Sequence, residues 1–170
     1  ISFKDYFEVK PHMLQILDRL DSLNRKKHLC HIDCVFDNYL FIDETTTRLI
    51  DWEYAGMADP LIDIAMCSIY SYLEKDEIDR LLDIYIFSKS NPDADEANFN
   101  YKQNKADLSK AVDLTQRHIV YSYVALSGFL WALWTVYKSS FGETFGEYSL
   151  KMYRYSKDFY KILLDEGFFA

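Results

Sequence analysis

Residues 29–56 read LCHIDCVFDNYLFIDETTTRLIDWEYAG, and the fold of the whole chain turns on how this stretch is understood. It gathers Cys30, His31, Asp33, Cys34, Asp37, Asn38 and Asp51, all side chains able to hold a metal ion or move a proton. Two chemistries call for such a density. One is a cage of thiols and imidazoles around zinc; the other is a carboxylate site that handles phosphate.

Within the stretch, NYLFID and TRLIDW are β-prone runs joined by the polar ETT, which predicts a hairpin whose second strand delivers Asp51 at its end. Upstream, Pro11 followed by Met13, Ile16, Leu17, Leu20 and Leu23 predicts an amphipathic helix with proline in its first turn. Downstream, Asp59-Pro60 is a start signal before an apolar run, and Asp76 is placed to cap a further helix that ends before Asn91-Pro92. Residues 106–138 contain no proline and read as one long helix. Tyr148, Met152, Tyr155, Phe159 and Ile162 form a helical stripe in the last segment. The run SNPDADEANFNYKQN at 90–104 is the best candidate loop. The expected fold class is mainly α with a small β-hairpin.

A length of 170 residues, 49% hydrophobic and 17% aromatic, suits one sizeable core and hence one domain. With 19 basic against 27 acidic residues the formal charge is −8, which repels nucleic acid and anionic lipid and suits a cationic partner. Three cysteines make no even disulfide framework, and no signal peptide precedes them, so a reducing cytoplasm is the expected compartment. The chain opens ISFKDYFEVKP without an initiator Met, which points to a piece of something longer.

One segment asks for a separate decision. Ile119 to Tyr137, IVYSYVALSGFLWALWTVY, is nineteen residues without a charge and long enough to cross a bilayer. It also carries Ser122, Ser127, Gly128, Thr135 and three tyrosines, and its tryptophans are not placed at an edge. The expectation is therefore a buried central helix and no membrane span. Trp131 and Trp134 are three residues apart and share a face of it, where they can form one wall of a pocket.

A structural zinc site pairs its ligands and closes the tetrahedron with a second pair. Cys30 and Cys34 supply one half, but Cys67 stands alone and His118 has no partner at the usual spacing. Phosphoryl transfer accounts for more of the residues. His31, Asp33 and Asn38 match H-x-D-x-x-x-x-N, the pattern of a kinase catalytic loop, and Asp51 follows at the end of the hairpin, where a second metal-binding aspartate belongs. Such a reaction needs a carboxylate to orient and deprotonate the attacking hydroxyl, and oxygen ligands to hold Mg²⁺ against the phosphates.

The loop continues into LIDWEYAGMADPLIDIA, residues 49–65. With that continuation the chain resembles the choline/ethanolamine kinase and aminoglycoside phosphotransferase superfamily of the protein kinase-like fold. Within it, IDWEYAG and the pairing of FLWALWTVYKSSFG with FGEYSLKMYRYSKDFY look most like the bacterial choline kinases. The likeness runs from about Pro11 to Leu164. It implies that residues 1–170 are the C-terminal catalytic and substrate-binding lobe of a small-molecule kinase that uses ATP as co-substrate and Mg²⁺ as cofactor. Carried over by position, it implies Asp33 as catalytic base, Asn38 and Asp51 as Mg²⁺ ligands, Asp63 as a buried carboxylate bracing the catalytic loop, and His31 as structural support. Glu53, Trp131 and Trp134 fall where such kinases bind a small cationic alcohol, with Tyr70 or Tyr72 adding another face. A quaternary ammonium donates no hydrogen bond, so aromatic faces and a carboxylate suit it. For Asp63, the role of an acid in the first turn of a helix is an open alternative.

Ile32 and Cys34 depart from the resemblance, since relatives usually carry a small or polar residue at the first and Leu at the second. The chain also lacks G-x-G-x-x-G, and too little sequence precedes His31 to form a nucleotide-binding lobe. An isolated lobe of this kind is expected to be inactive. Two alternatives stay open: phosphorylation of an aminoglycoside or other amino-alcohol, and a non-catalytic binding module of the same fold.

Overall fold

A computed structural model describes residues 3–91, 101 and 112–170 of the chain. The first helix, α1 (Tyr6–Ser22), buries Val9, Met13 and Ile16, which recur at the helical period, and leaves its other face to solvent. It begins five residues earlier than Pro11 suggests, with the Val9 amide bonded to the Asp5 carbonyl. Pro11 therefore sits inside the helix. The ring deprives the Phe7 carbonyl of its partner, but Phe7 is 85% exposed, so water can serve that group.

The chain then makes two small antiparallel ribbons instead of one hairpin. Strand β2 (Tyr39–Phe41) pairs with β3 (Thr47–Leu49), Tyr39 opposite Leu49, as the sequence predicts. Asp43 shapes the turn between them, its Oδ1 accepting from the Thr45 amide and hydroxyl at 2.9 Å each. The second ribbon pairs β1 (His28–Cys30) with β4 (Gly56–Ala58), Cys30 opposite Gly56. Short 3₁₀ turns at Phe36–Asn38 and Trp52–Tyr54 flank the hairpin. The catalytic-type loop thus leaves one strand of the β1–β4 ribbon, and the chain re-enters that ribbon after Asp51.

Helix α2 (Leu61–Tyr70) starts where Asp59 Oδ1 accepts the Leu61 amide at 3.0 Å. Helix α3 (Lys75–Ser90) ends before Asn91 as expected, but its start is set two residues earlier than the Asp76 cap allows. Glu77 reaches back to the Glu74 amide at 2.9 Å, and Asp76 lies inside the first turn. The long helix α4 (Leu114–Ser139) starts later than the expected 106, and residues 106–111 of that expected span lie outside the described residues. Asp113 caps it by accepting from the Gln116 amide at 2.7 Å, and Val112 and Asp113 are not helical. Most of the candidate loop at 90–104 lies outside the described residues.

Helix α4 is the centre of the molecule, packed against α2, α1 and the last helix, α5 (Tyr148–Asp165). By length and composition alone α4 could cross a membrane, with a mean hydropathy of 1.5, but 61% of its most apolar window is buried within this fold. The crossing with α5 is close because Gly128 has no side chain. A Cβ there would lie 2.6 Å from the Met152 carbonyl oxygen and 2.9 Å from Tyr155 Cβ. Along α5 the buried residues are Ser149, Met152, Tyr153, Ser156, Phe159 and Leu163; Tyr148, Tyr155 and Ile162 flank them, half-buried.

Candidate active site

The loop after β1 is held in a conformation that its own residues do not favour. Ile32 adopts a left-handed backbone (φ +69°), unusual for a β-branched side chain. Asp63, in the first turn of α2, supplies the compensation: its Oδ2 accepts from the His31 amide at 3.0 Å and its Oδ1 from the Ile32 amide at 2.8 Å. Asp63 is half-buried. The turn leading into α2 is tied down separately, by a bond from the Arg25 guanidinium to Asp59.

Two residues on, the carboxylate of Asp33 is gripped on both oxygens. Asn38 Nδ2 donates to Asp33 Oδ2 at 3.1 Å and to its carbonyl at 2.9 Å; the Tyr70 hydroxyl donates to Oδ1 at 2.8 Å. The hairpin is latched to the same loop through one residue. The Ile50 amide donates to the Asn38 carbonyl at 2.9 Å, and the Ile50 carbonyl accepts from His31 Nε2 at 2.7 Å. His31 is buried, with its ring against the edge of Trp52 at 4.8 Å. Asp51 follows at once, also left-handed (φ +61°), with its side chain exposed and no hydrogen-bond partner among the described residues. Glu53 is exposed on the turn that follows. Asn38 meets Asp33 directly and Asp51 follows the latch at Ile50, a latch that has no sequence signature.

Beside Asp33 stands a wall of rings. Tyr70 meets Trp131 at 5.8 Å between centroids, Trp131 meets Trp134 at 5.3 Å, and Trp134 meets Phe145 at 5.2 Å. Burial raises the Tyr70 phenol well above its ordinary value, and the bond to Asp33 pushes the same way. Tyr148 is pushed up to about 12, first by burial and then by the nearby Tyr72 and Asp33. Both phenols therefore stay protonated. Of the two tyrosines weighed for the pocket, Tyr70 faces the site, whereas the Tyr72 ring carries Lys151 Nζ at 4.5 Å. Sequence reasoning names Tyr148 only as part of a helical stripe and does not name Phe145; the aromatic content of FGEYS just after α4 is the signal that points to both.

With this geometry in view, the comparisons with known proteins are specific. The sequence pattern of the phosphotransferase enzyme family (APH) matches residues 3–99, more than half of the chain. The chain belongs to the phosphotransferase enzyme family. Against protein LicA of Haemophilus influenzae strain Rd it is 34% identical over 164 residues, covering 88% of this chain and 55% of that protein. A second Haemophilus influenzae protein LicA is 36% identical over 122 residues, covering 72% of this chain and 31% of the relative. The fold superposes on the crystal structure of choline kinase LicA from Streptococcus pneumoniae with a TM-score of 0.66 and 26% identity, covering 95% of this chain and 50% of that one. For LicA in complex with AMP the TM-score is 0.69 at the same identity, covering 95% and 48%. This phosphotransferase chain is homologous to choline kinase LicA and spans about half the length of such relatives.

The oxygen donors present fit a hard divalent cation. Asn38 spends its Nδ2 on Asp33, which leaves its Oδ1 accepting nothing among the described residues, and the Asp51 carboxylate is equally unengaged. Two such oxygens, completed by phosphate and water, are how Mg²⁺ is commonly held in phosphotransferases. A thiol cage does not form. Cys30 directs its thiol to the carbonyls of His28 and Ala58 at 3.4 Å each, Cys34 is buried in the core, and no three His, Cys, Asp or Glu side chains gather among the described residues.

Proposed function

We propose that residues 1–170 form the C-terminal lobe of a two-lobe kinase that transfers the γ-phosphoryl group of ATP to the hydroxyl of choline, or of a closely similar amino alcohol such as ethanolamine. Choline would give phosphocholine. One observation carries this reading: Asp33 is held by Asn38 through one oxygen and, through the other, by the first ring of an aromatic wall. A single carboxylate thus joins an oxygen-donor set suited to phosphate chemistry and a surface suited to a quaternary ammonium.

In this scheme Asp33 receives the hydroxyl proton as the alcohol oxygen bonds to phosphorus and the bond from phosphorus to the ADP oxygen breaks. Because the transition state is loose, the chief task of Asp33 is to orient that hydroxyl. Asn38 and Asp51 are the residues that would hold Mg²⁺, which when bound neutralises charge on the phosphates. Trp131, Trp134 and Tyr70 offer faces to the cationic head, with Glu53, exposed on the turn after Asp51, as the accompanying carboxylate. An aminoglycoside carries several ammonium groups and would call for several acids, whereas the wall beside Asp33 is aromatic. The reading expects a reducing, ATP-supplied cytoplasm, and three free thiols support that expectation.

The test uses the full-length protein that carries these residues, with ATP, Mg²⁺ and choline, and follows phosphocholine by phosphorus NMR. The Asp33→Ala variant should lose turnover by about two to four orders of magnitude while keeping its fold. Near-normal turnover in that variant would overturn the assignment. The 170 residues alone should transfer no measurable phosphate.

A further inference from the structure

The ring of Tyr70 already has a use in the aromatic wall, and its hydroxyl has a second one, donating to Asp33 at 2.8 Å. We propose that Tyr70 is a positioning residue for the catalytic base: its hydroxyl fixes the Asp33 carboxylate, and its ring registers that carboxylate against the surface that receives the cationic head. This rests on the reading of Asp33 as the base.

Helix α2 explains how the grip works. Asp63 in its first turn holds the backbone of His31 and Ile32, and Tyr70 at its last residue holds the Asp33 side chain. The two residues are seven apart, two helical turns, and so lie on the same face at a separation of roughly 10 Å. One rigid rod therefore grips the loop at its entry and at its reactive group. Asn38 restrains the other oxygen of Asp33, so the carboxylate is held against rotation from two sides. The phenol is kept in its donor form by burial, and a hydrogen bond from a neutral hydroxyl to a carboxylate is of the strong, charge-assisted kind. The arrangement also links recognition to chemistry. Tyr70 packs on Trp131, so a displacement of the wall is transmitted to the base through a single side chain.

A merely structural tyrosine would behave differently, since a buried phenol seeks any acceptor and its loss lowers stability without touching the chemical step. The decisive variant is Tyr70→Phe in the full-length kinase, which keeps the ring in the wall and removes only the hydroxyl. With MgATP saturating, kcat should fall about ten- to a hundred-fold while the KM for choline stays within about two-fold. Tyr70→Leu, which removes ring and hydroxyl together, should show the same fall in kcat and a raised KM. An unchanged kcat in Tyr70→Phe, whatever its melting temperature, overturns the proposal, as does a loss of kcat/KM carried by KM alone. The wild type and Asp33→Ala are measured beside them. If the wild type prefers another alcohol, the substrate reading fails and the Tyr70 comparison is made with that alcohol; if Asp33→Ala keeps its turnover, the base assignment fails first.

Discussion

The Nε2 of His31 donates to the carbonyl oxygen of Ile50 at 2.7 Å, and the peptide group so held is the one that leads into Asp51. Loop and hairpin are joined at the step before the exposed carboxylate. Replacing His31 with Ala removes a buried ring and this bond, and should lower stability by about 2–4 kcal/mol. It should lower turnover as well, because Asp51 loses its anchor. By contrast, Asp51→Ala deletes an exposed side chain without a partner among the described residues and costs only the poorer fit of alanine to the left-handed backbone, about 1 kcal/mol and hence about 2–4 °C in melting temperature. Its turnover should nonetheless drop by orders of magnitude. Thermal unfolding and turnover measured on the same preparations separate the two roles; an active Asp51→Ala enzyme would remove Asp51 from the metal-binding set.

The two tryptophans of the wall should respond unequally. Trp134 is 38% exposed, with its edges against Trp131 and Phe145, whereas Trp131 packs on the hydrophobic core and on Tyr70. Loss of a cation–π contact is on the order of 1–2 kcal/mol, so Trp134→Leu should raise the choline KM roughly ten-fold with little change in melting temperature. Trp131→Leu should raise KM and also lower the melting temperature. Choline should be preferred over ethanolamine in the wild type and less so in both variants; KM values indifferent to both substitutions would point away from a quaternary ammonium.

Gly128 offers a test of the packing itself. In an exposed helix, alanine is favoured over glycine by about 1 kcal/mol. Here the added methyl would meet backbone, the Met152 carbonyl at 2.6 Å, which cannot rotate aside. Overpacking should win, and Gly128→Ala should be destabilised by about 1–3 kcal/mol, a fall of about 2–4 °C per kcal/mol in a chain this size. A raised melting temperature would show that α4 and α5 pack less closely than described.

Alkaline stability follows from buried acids. Burial, with Asp63 nearby, pushes the Cys34 thiol up to about 12 from an ordinary 9.0, and burial likewise pushes Tyr123 and Tyr148 up to about 12 from 10.0. Between those values the native state keeps protons that the unfolded chain has released, so stability is full below pH 9 and declines as pH rises towards 12. Denaturant midpoints measured from pH 8 to 11 should fall monotonically, and Cys34→Ala should decline less steeply. At pH 8, iodoacetamide should label Cys34 in the unfolded chain and spare it in the native one. Rapid native labelling of Cys34 would contradict its burial.

What could be read in advance divides along physical lines. The hairpin and the positions of Asp33, Asn38 and Asp51 were legible because each depends on spacing within one short segment. The β1–β4 ribbon was not, since strands of three residues carry no period and their partners lie far apart in sequence. The start of α4 does carry a signal, the capping box of Asp113 and Gln116, and it outweighs the continuity that the absence of proline suggests. Pro11 misled in the opposite sense, since a proline inside a helix reads most readily as one at its start. The Tyr70 hydroxyl could not be foreseen, because which way a phenol points depends on the packing of α2 and not on any motif.

The bonds that brace His31, Ile32, Asn38 and Ile50 all run between residues 31 and 63, while Trp131, Trp134 and Phe145 belong to α4 and the segment after it. Inheritance can therefore act on the two halves at different rates. On the proposed kinase reading, substitutions in the second segment can change which alcohol is received without disturbing the bonds around Asp33. Tyr70 joins the two, bonded to Asp33 and packed on Trp131.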